Sequence, residues 1–217
     1  MRALAWEFPN DPTLASADRQ FLLGPSILVT PVLEPLARSV NGVFPGIAQG
    51  TIWYDWYNQS KVDVQAYANT TIDAPLTHLP LYVRGGSILP QQEARMTTIE
   101  SRKSPWSLIV ALSSSGSAEG SLYIDDGESI APNATLQVQF TAGNGKLYAS
   151  STGLYNDTNQ LGNVTVLGVH GKPGNVTLNS IAVPFTYDEG CQVLSMKGLG
   201  NATSGIGAWS SDWVIAW

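Results

Sequence analysis

Acid–base and nucleophilic chemistry need carboxylate, imidazole, hydroxyl or thiol groups held close together, and this chain gathers carboxylates densely in one place. Of its 17 acidic residues, three stand in Tyr123-Ile124-Asp125-Asp126-Gly127-Glu128-Ser129. Two carboxyl groups can divide acid and base roles when they face each other about 5–10 Å apart. Here they follow a strand pattern and flank Asp-Gly, a strong signal for a tight turn, so neighbouring side chains are expected to point different ways. Calcium would need six or more oxygen ligands, and the full pattern of a calcium loop is absent. The two imidazoles, His78 and His170, have no Gly-x-Ser-x-Gly elbow to serve. Gly85-Gly86 and Gly198-Leu199-Gly200 lack the lysine and helix start of a phosphate cradle. Cys191 is the single cysteine, so no disulfide closes within the chain and no zinc spacing exists; its expected place is a small buried thiol. No catalytic, cofactor-binding or metal-ligating residue is assigned.

The aromatic residues carry a different chemistry. Seven Trp and eight Tyr offer flat faces that stack on sugar rings while their polar edges stay wet. Trp53, Tyr54, Trp56 and Tyr57 form the densest set. Strand alternation puts Trp53 and Tyr57 on one face and Tyr54 and Trp56 on the other, so at least one pair belongs to the core. Trp53 and Trp56 are the candidate stacking residues.

Asn58, Asn69, Asn133, Asn156, Asn163, Asn175 and Asn201 each open an Asn-x-Ser/Thr triplet. Chance would give about two, and the excess points to a secretory pathway that glycosylates. The amino terminus, Met1-Arg2-Ala3-Leu4-Ala5-Trp6, has no apolar stretch and small-residue cleavage site of a signal peptide. A glycosylated chain without that signal is expected to be a piece of a longer one. A net charge of −6 without clustered Lys and Arg argues against nucleic acid. The longest apolar stretch, residues 21–33, is interrupted by Gly24, Pro25 and Pro31 and is too short to span a bilayer.

The elements that must position these residues are mostly strands. Charged residues make up only 13% of the chain, well below the average for soluble domains, and the balance is a turn-rich β composition. One helix is expected over residues 16–24, capped by Ser16 and closed by Gly24, with Pro25 as its stop. A strand buried on both faces is expected within 27–33. Short strand patterns then recur at 51–57 and 79–83, with Gly85-Gly86 turning into 87–89. The second half shows them at 106–112, 121–125, 136–140, 146–149, 164–169, 193–196 and 213–217. The polar run 97–105 separates the two halves, and strands at this spacing build sandwiches.

Taken in order, several runs resemble one known family. Glu7-Phe8-Pro9-Asn10-Asp11 and Asp18-Arg19-Gln20-Phe21-Leu22-Leu23-Gly24-Pro25-Ser26-Ile27-Leu28-Val29-Thr30-Pro31-Val32-Leu33 resemble the barrel exit of family 31 α-glucosidases. Phe44-Pro45, Thr51-Ile52-Trp53-Tyr54-Asp55, Ala74-Pro75-Leu76, Val83-Arg84-Gly85-Gly86-Ser87-Ile88-Leu89-Pro90, Thr97-Thr98-Ile99-Glu100-Ser101-Arg102 and Asp125-Asp126-Gly127-Glu128-Ser129 continue the likeness. It covers about the first 130 residues well; Val164-Thr165-Val166-Leu167-Gly168-Val169 and Trp213-Val214-Ile215-Ala216-Trp217 resemble the closing strands.

The resemblance implies a mainly β chain: two consecutive β-sandwich domains preceded by a short helical remnant of a (β/α)₈ barrel. Residues 1–25 would be the tail of that catalytic barrel, 26–99 the proximal sandwich and 100–217 the distal one. Trp6, Phe8, Phe21 and Leu22 are then expected to lack partners within the chain. Active sites of such barrels lie on the loops at one end, and the family's Trp-x-Asp-Met-Asn-Glu type motif is absent here, so no catalytic residue carries over. The implied parent is a secreted retaining α-glucosidase that releases terminal α-linked glucose from malto-oligosaccharides. This chain would brace its barrel and be inactive alone, without cofactor, nucleic-acid or membrane partner. The barrel would be its partner, either upstream in the same chain or on a separate subunit. Other readings are a stand-alone carbohydrate-binding or structural β-sandwich module, and a noncovalent subunit of a split α-glucosidase.

Overall fold

The computed structural model describes residues 1–201 and 207–217. They form two compact units, Met1–Gly85 and Gly86–Trp217. The first opens with one helical turn, α1 (Leu4–Glu7), and a 3₁₀ turn at Pro12–Ser16. Asp11 starts the latter: its carboxylate accepts from the Thr13 N–H at 3.0 Å and the Thr13 hydroxyl at 2.6 Å, while Pro12 withholds a donor that the turn does not need.

The helix expected over residues 16–24 is not formed. A helix that short is marginal on its own, and β1 (Phe21–Leu23) instead folds back on β2 (Ile27–Val29). Gly24, at φ +59°, serves the turn between them rather than closing a helix. Leu22 also exchanges backbone hydrogen bonds with Arg2, so the opening segment is tied to this hairpin. β3 (Ser39–Val43), β4 (Trp53–Asp55), β5 (Asn69–Asp73) and β6 (Leu81–Arg84) complete the unit. Its main sheet runs β1-β2-β6-β4, all antiparallel, and β3 with β5 makes a separate ribbon.

The core of this unit sets Leu4, Phe8 and Leu14 against Leu22, Leu28 and Trp53. The expectation that Phe8 and Leu22 find no partner is therefore corrected: both are buried, and each such side chain contributes roughly 1.5–3 kcal/mol. Trp6 alone of that set stays wet, at 77% exposed.

β6 pairs inside the first unit, whereas β7 (Ser87–Gln91) pairs with β8 (Trp106–Ala111) inside the second. Gly85-Gly86 is thus a step between units and not a hairpin within one. The compact units divide there because backbone pairing changes hands at that point.

The second unit continues through α2 (Thr98–Ser101), which falls in the polar run before β8. It then adds β9 (Ala118–Ile124), β10 (Leu136–Gly143), β11 (Lys146–Gly153), β12 (Leu161–Leu167), β13 (Thr177–Leu178), β14 (Ile181–Ala182), β15 (Phe185–Asp188), β16 (Val193–Lys197) and β17 (Trp213–Ala216). Every strand expected from the alternation in this half is present. One antiparallel layer runs β14-β13-β17-β11-β10-β9, and the other runs β7-β8-β12-β16-β15 with β8 and β12 parallel. The layers join through a single parallel bridge, Ser87 to Glu119. Val138, Phe140 and Leu147 of the first layer share one core with Leu108, Val110 and Val166 of the second, which makes the unit a sandwich. β10 alternates buried and exposed residues almost without fault, and Asn144-Gly145, both at positive φ, fix its register on β11.

The join sets a steric requirement. At Gly120, beside the bridge, a Cβ would lie 2.3 Å from the Ile88 carbonyl oxygen, which is backbone and cannot swing aside. Gly120→Ala is expected to cost about 1–3 kcal/mol. Gly174→Ala, where nothing lies within 4 Å, should be near neutral. Thermal unfolding of the two variants side by side checks this, and equal midpoints would refute the close approach.

Candidate functional site

The dense carboxylates form a closed turn. Asp125 Oδ1 accepts from the Gly127 N–H at 2.8 Å. Asp126 accepts from the Glu128 N–H at 3.0 Å, the Ser129 N–H at 2.9 Å and the Ser129 hydroxyl at 2.6 Å. Arg102 reaches over from the end of α2 and donates to the Asp125 carbonyl oxygen. It lies so close to Gly127, at φ +72°, that a Cβ there would meet its Nη1 at 2.0 Å. Thr97 caps α2 by accepting from the Glu100 N–H. The structure thereby joins two runs of the resemblance, 97–102 and 125–129, as a bracket and its anchor.

A carboxylate spent on backbone donors and a hydroxyl is poorly placed to move protons. The Ser129 hydroxyl, then the Ser129 and Glu128 N–H groups, hold Asp126 down to about 2, away from the range a general acid needs. Among the described residues no cluster of His, Cys, Asp and Glu is arranged to hold a metal.

Beside this turn lies a polar hollow of about 150 Å³, bordered by Arg102, Trp106, Tyr123, Asp125, Tyr155 and Asp157. Asp157 is the residue that sequence reasoning missed. It is only 7% exposed, its carboxylate accepts from the Trp106 indole N–H, and its Oδ1 also takes the Asn159 N–H at 3.1 Å. Its one sequence signal was the middle position of the Asn156-Asp157-Thr158 triplet, which says nothing of burial. Asn159 in turn donates to the Arg102 carbonyl at 2.7 Å, so the wall of the hollow is a connected network.

The aromatic set divides differently from the expected alternation, because β4 stops at Asp55. The Asp55 carboxylate then accepts from the Tyr57 and Asn58 N–H groups at 2.8 and 2.9 Å, and this turns the chain. Trp53 is 0% exposed and its indole donates to the Pro45 carbonyl at 2.9 Å, so it cannot stack on a sugar; that assignment is corrected. Tyr54 is buried beside it. Trp56 is half-buried and Tyr57 exposed, with Tyr57 packed on His78 at 4.5 Å between ring centres. His170 is exposed. Cys191 is half-buried rather than buried, in the turn before β16, where its N–H donates to Asp188.

Asn58, Asn69, Asn133, Asn156, Asn163 and Asn175 are all exposed. Asn58 already carries the local fold of its triplet, since its side-chain oxygen accepts from the Ser60 N–H at 2.9 Å and the Ser60 hydroxyl at 2.6 Å. The triplet opened by Asn201 runs into residues 202–206 and lies outside the described residues. No helix among the described residues is long and apolar enough to cross a membrane.

The first unit holds further pairings of the resembling runs. Glu7 sits 3.6 Å from Arg84, whose guanidinium lies 4.5 Å from the centre of the Phe8 ring. Gln20 is buried, donating to Thr30 at 2.8 Å and to the Val43 carbonyl at 3.2 Å while accepting from the Val43 N–H at 2.8 Å.

The Asp126 turn gives a pH test. Because its folded pKa is depressed from 3.8 to about 2, its contribution to stability is present above about pH 4 and is lost as pH falls through about 2. The gap in thermal midpoint between wild type and Asp126→Asn should therefore be largest above about pH 4 and close by about pH 2. A gap that does not vary with pH would remove the carboxylate from this role.

Comparison with known proteins agrees with the geometry. Residues 1–89 match the model of the glycosyl hydrolase family 31 C-terminal domain. An α-glucosidase of Aspergillus niger is 57% identical over the whole chain, and one of Aspergillus oryzae is 54% identical; the chain spans 22% of the length of each. A solved structure of a glucosidase II alpha subunit superimposes with a TM-score of 0.82 at 20% identity, over 100% of this chain and 25% of that one, and so shares the fold. The chain belongs to glycosyl hydrolase family 31, with that family's C-terminal domain in its first 89 residues.

Proposed function

We propose that this chain is the C-terminal part of a secreted retaining α-glucosidase, and that its two β units brace the catalytic barrel of that enzyme without supplying its catalytic aspartates. The observation that carries the reading is the end-to-end identity of 57% to the Aspergillus niger α-glucosidase. The substrate would be terminal α-linked glucose of malto-oligosaccharides. The geometry supports a mechanical role: the densest carboxylates are bound into a turn, and the resembling runs pair with one another in packing contacts. Secretion is supported by the triplets, since all six asparagines that are described stand in the open. The burial of Trp53 weakens the reading as a free carbohydrate-binding module.

A chimera tests this. The purified chain alone should not hydrolyse maltose. Replacing the matching 22% of the Aspergillus niger enzyme with this chain should keep maltose hydrolysis within about tenfold of the parent rate, about 1.4 kcal/mol in barrier. Turnover by the chain alone, or a folded but inert chimera, would overturn the proposal.

A further inference from the structure

A groove of about 970 Å³ lies in the first unit, between the connection from β2 to β3 and the connection from β5 to β6. Its walls are mostly apolar. Leu36 and Leu76 are wholly exposed, Leu79 is exposed as well, and Pro31, Pro35 and Pro75 line the groove with them. Glu34 and Arg38 are the charged residues of the lining, and Glu34 is already paired with Arg19 at 2.9 Å. Leu33, more than half exposed, extends the apolar surface into an adjoining hollow of about 210 Å³ that shares Pro31 and Val32. Single exposed leucines need no account, but apolar residues gathered in one groove mark a surface that something covers.

The leucines stand on a hydrogen-bonded frame. Residues 34–37 form a turn in which the Ala37 N–H donates to the Glu34 carbonyl at 3.4 Å, with Pro35 and Leu36 at its centre. Leu36 has φ +63°, a conformation that Gly or Asn adopts readily and a leucine seldom does. For the unit by itself a small or polar residue would serve this position better, since the leucine side chain stands in water. The second connection is tied to the first: the Ala74 N–H donates to the Arg38 carbonyl at 2.9 Å, and Ala74 is buried. The His78 N–H then closes on the Pro75 carbonyl at 2.8 Å, the His78 ring packs on Tyr57, and the Tyr57 hydroxyl donates to the Leu79 carbonyl at 2.8 Å. An apolar surface shown on an ordered frame loses little freedom when it is covered, which favours binding.

We propose that this groove is the face covered by the catalytic barrel, whose own apolar side chains close over Leu36, Leu76 and Leu79. Two observations choose that occupant. The chain spans 22% of the length of its Aspergillus relatives, so the matching enzymes carry most of their residues outside this segment. Pro31 and Leu33 belong to the run 18–33 that resembles the barrel exit, and Arg19 of the same run pairs with Glu34 on the wall of the groove, which sets this face beside the path by which the chain would leave the barrel. The inference rests on the bracing reading above and adds the place where the brace touches.

The test compares the chain alone with the chimera in which it replaces the matching 22% of the Aspergillus niger enzyme. Hydroxyl radicals label exposed leucine side chains, and peptide mass spectrometry reads the yield at each. Labelling at Leu36 and Leu76 should fall several-fold from the chain alone to the chimera, toward the yield at buried Leu28. Leu36→Asn combined with Leu76→Asn should leave the thermal midpoint of the chain alone within about 2 °C of the parent, or raise it. In the chimera the same pair should speed the thermal inactivation of maltose hydrolysis by about threefold or more. The labelling needs no substitution, so it stands even where the double variant fails to fold. An active chimera whose leucines label as they do in the chain alone overturns the inference and leaves the bracing reading to another face. A chain that pairs with itself, becomes monomeric in the double variant and keeps both leucines open in the chimera also overturns it, because the occupant is then a second copy. A folded but inert chimera sinks the bracing reading and this inference with it.

Discussion

Buried backbone N–H and C=O groups must find partners, and in the first unit this requirement decides the design. Its strands are three to five residues long, too short for ladders alone to satisfy the chain where it enters and leaves the sheet. Side chains make up the difference. The Gln20 amide serves both backbone groups of Val43 and the Thr30 hydroxyl, tying β3 to the end of β2. Trp53 serves the Pro45 carbonyl, and Asp11 opens the 3₁₀ turn. The fit at Gln20 is tight enough to dictate its neighbour: a Cβ on Gly42 would sit 2.7 Å from the Gln20 amide nitrogen. A side chain that replaces ladder hydrogen bonds in a buried place has no slack, because each unmet group costs about 1–3 kcal/mol.

The second unit meets the same requirement by length. β10 and β11 pair over eight residues each, and the register is fixed by a two-residue turn. Long ladders leave few orphan groups inside the sheets, so the demanding places move to the edges of the core. There Trp209 meets Trp106, Trp213 and Phe140, and the buried Asp157 finds its partner in Trp106. The two units solve one problem in two ways.

That difference explains what could be read from the residues. Alternation such as Leu136, Val138 and Phe140 on one face is a local pattern that long antiparallel strands impose, so the strands of the second unit were legible. The first unit was harder. Residues 16–24 carry cap and stop signals of a helix, yet pairing with β2 and with Arg2 overrides them, and no local pattern reports a partner that arrives from elsewhere in the chain. The Trp53 to Tyr57 alternation failed for a related reason: Asp55 ends the strand by taking two backbone N–H groups into a turn. At the candidate site, the closed character of 125–129 followed from Asp-Gly. Its clamp by Arg102 did not, nor did the burial of Asp157, because both depend on contacts across more than 20 residues.

The resembling runs acquire a physical meaning from this. Taken along the chain they are a sequence of short, individually weak likenesses; in space they are partners. Glu7 and Phe8 meet Arg84, Gln20 meets Thr30, Pro45 meets Trp53, and Arg102 meets the turn at 125–129. Each pair closes a place where a ladder ends or a turn must hold its shape. A general acid needs a pKa raised toward its working pH, while the hydrogen bonds at Asp126 push the other way. On the proposed reading this polar bonding serves support, and the chemistry belongs to the barrel that this frame holds in place.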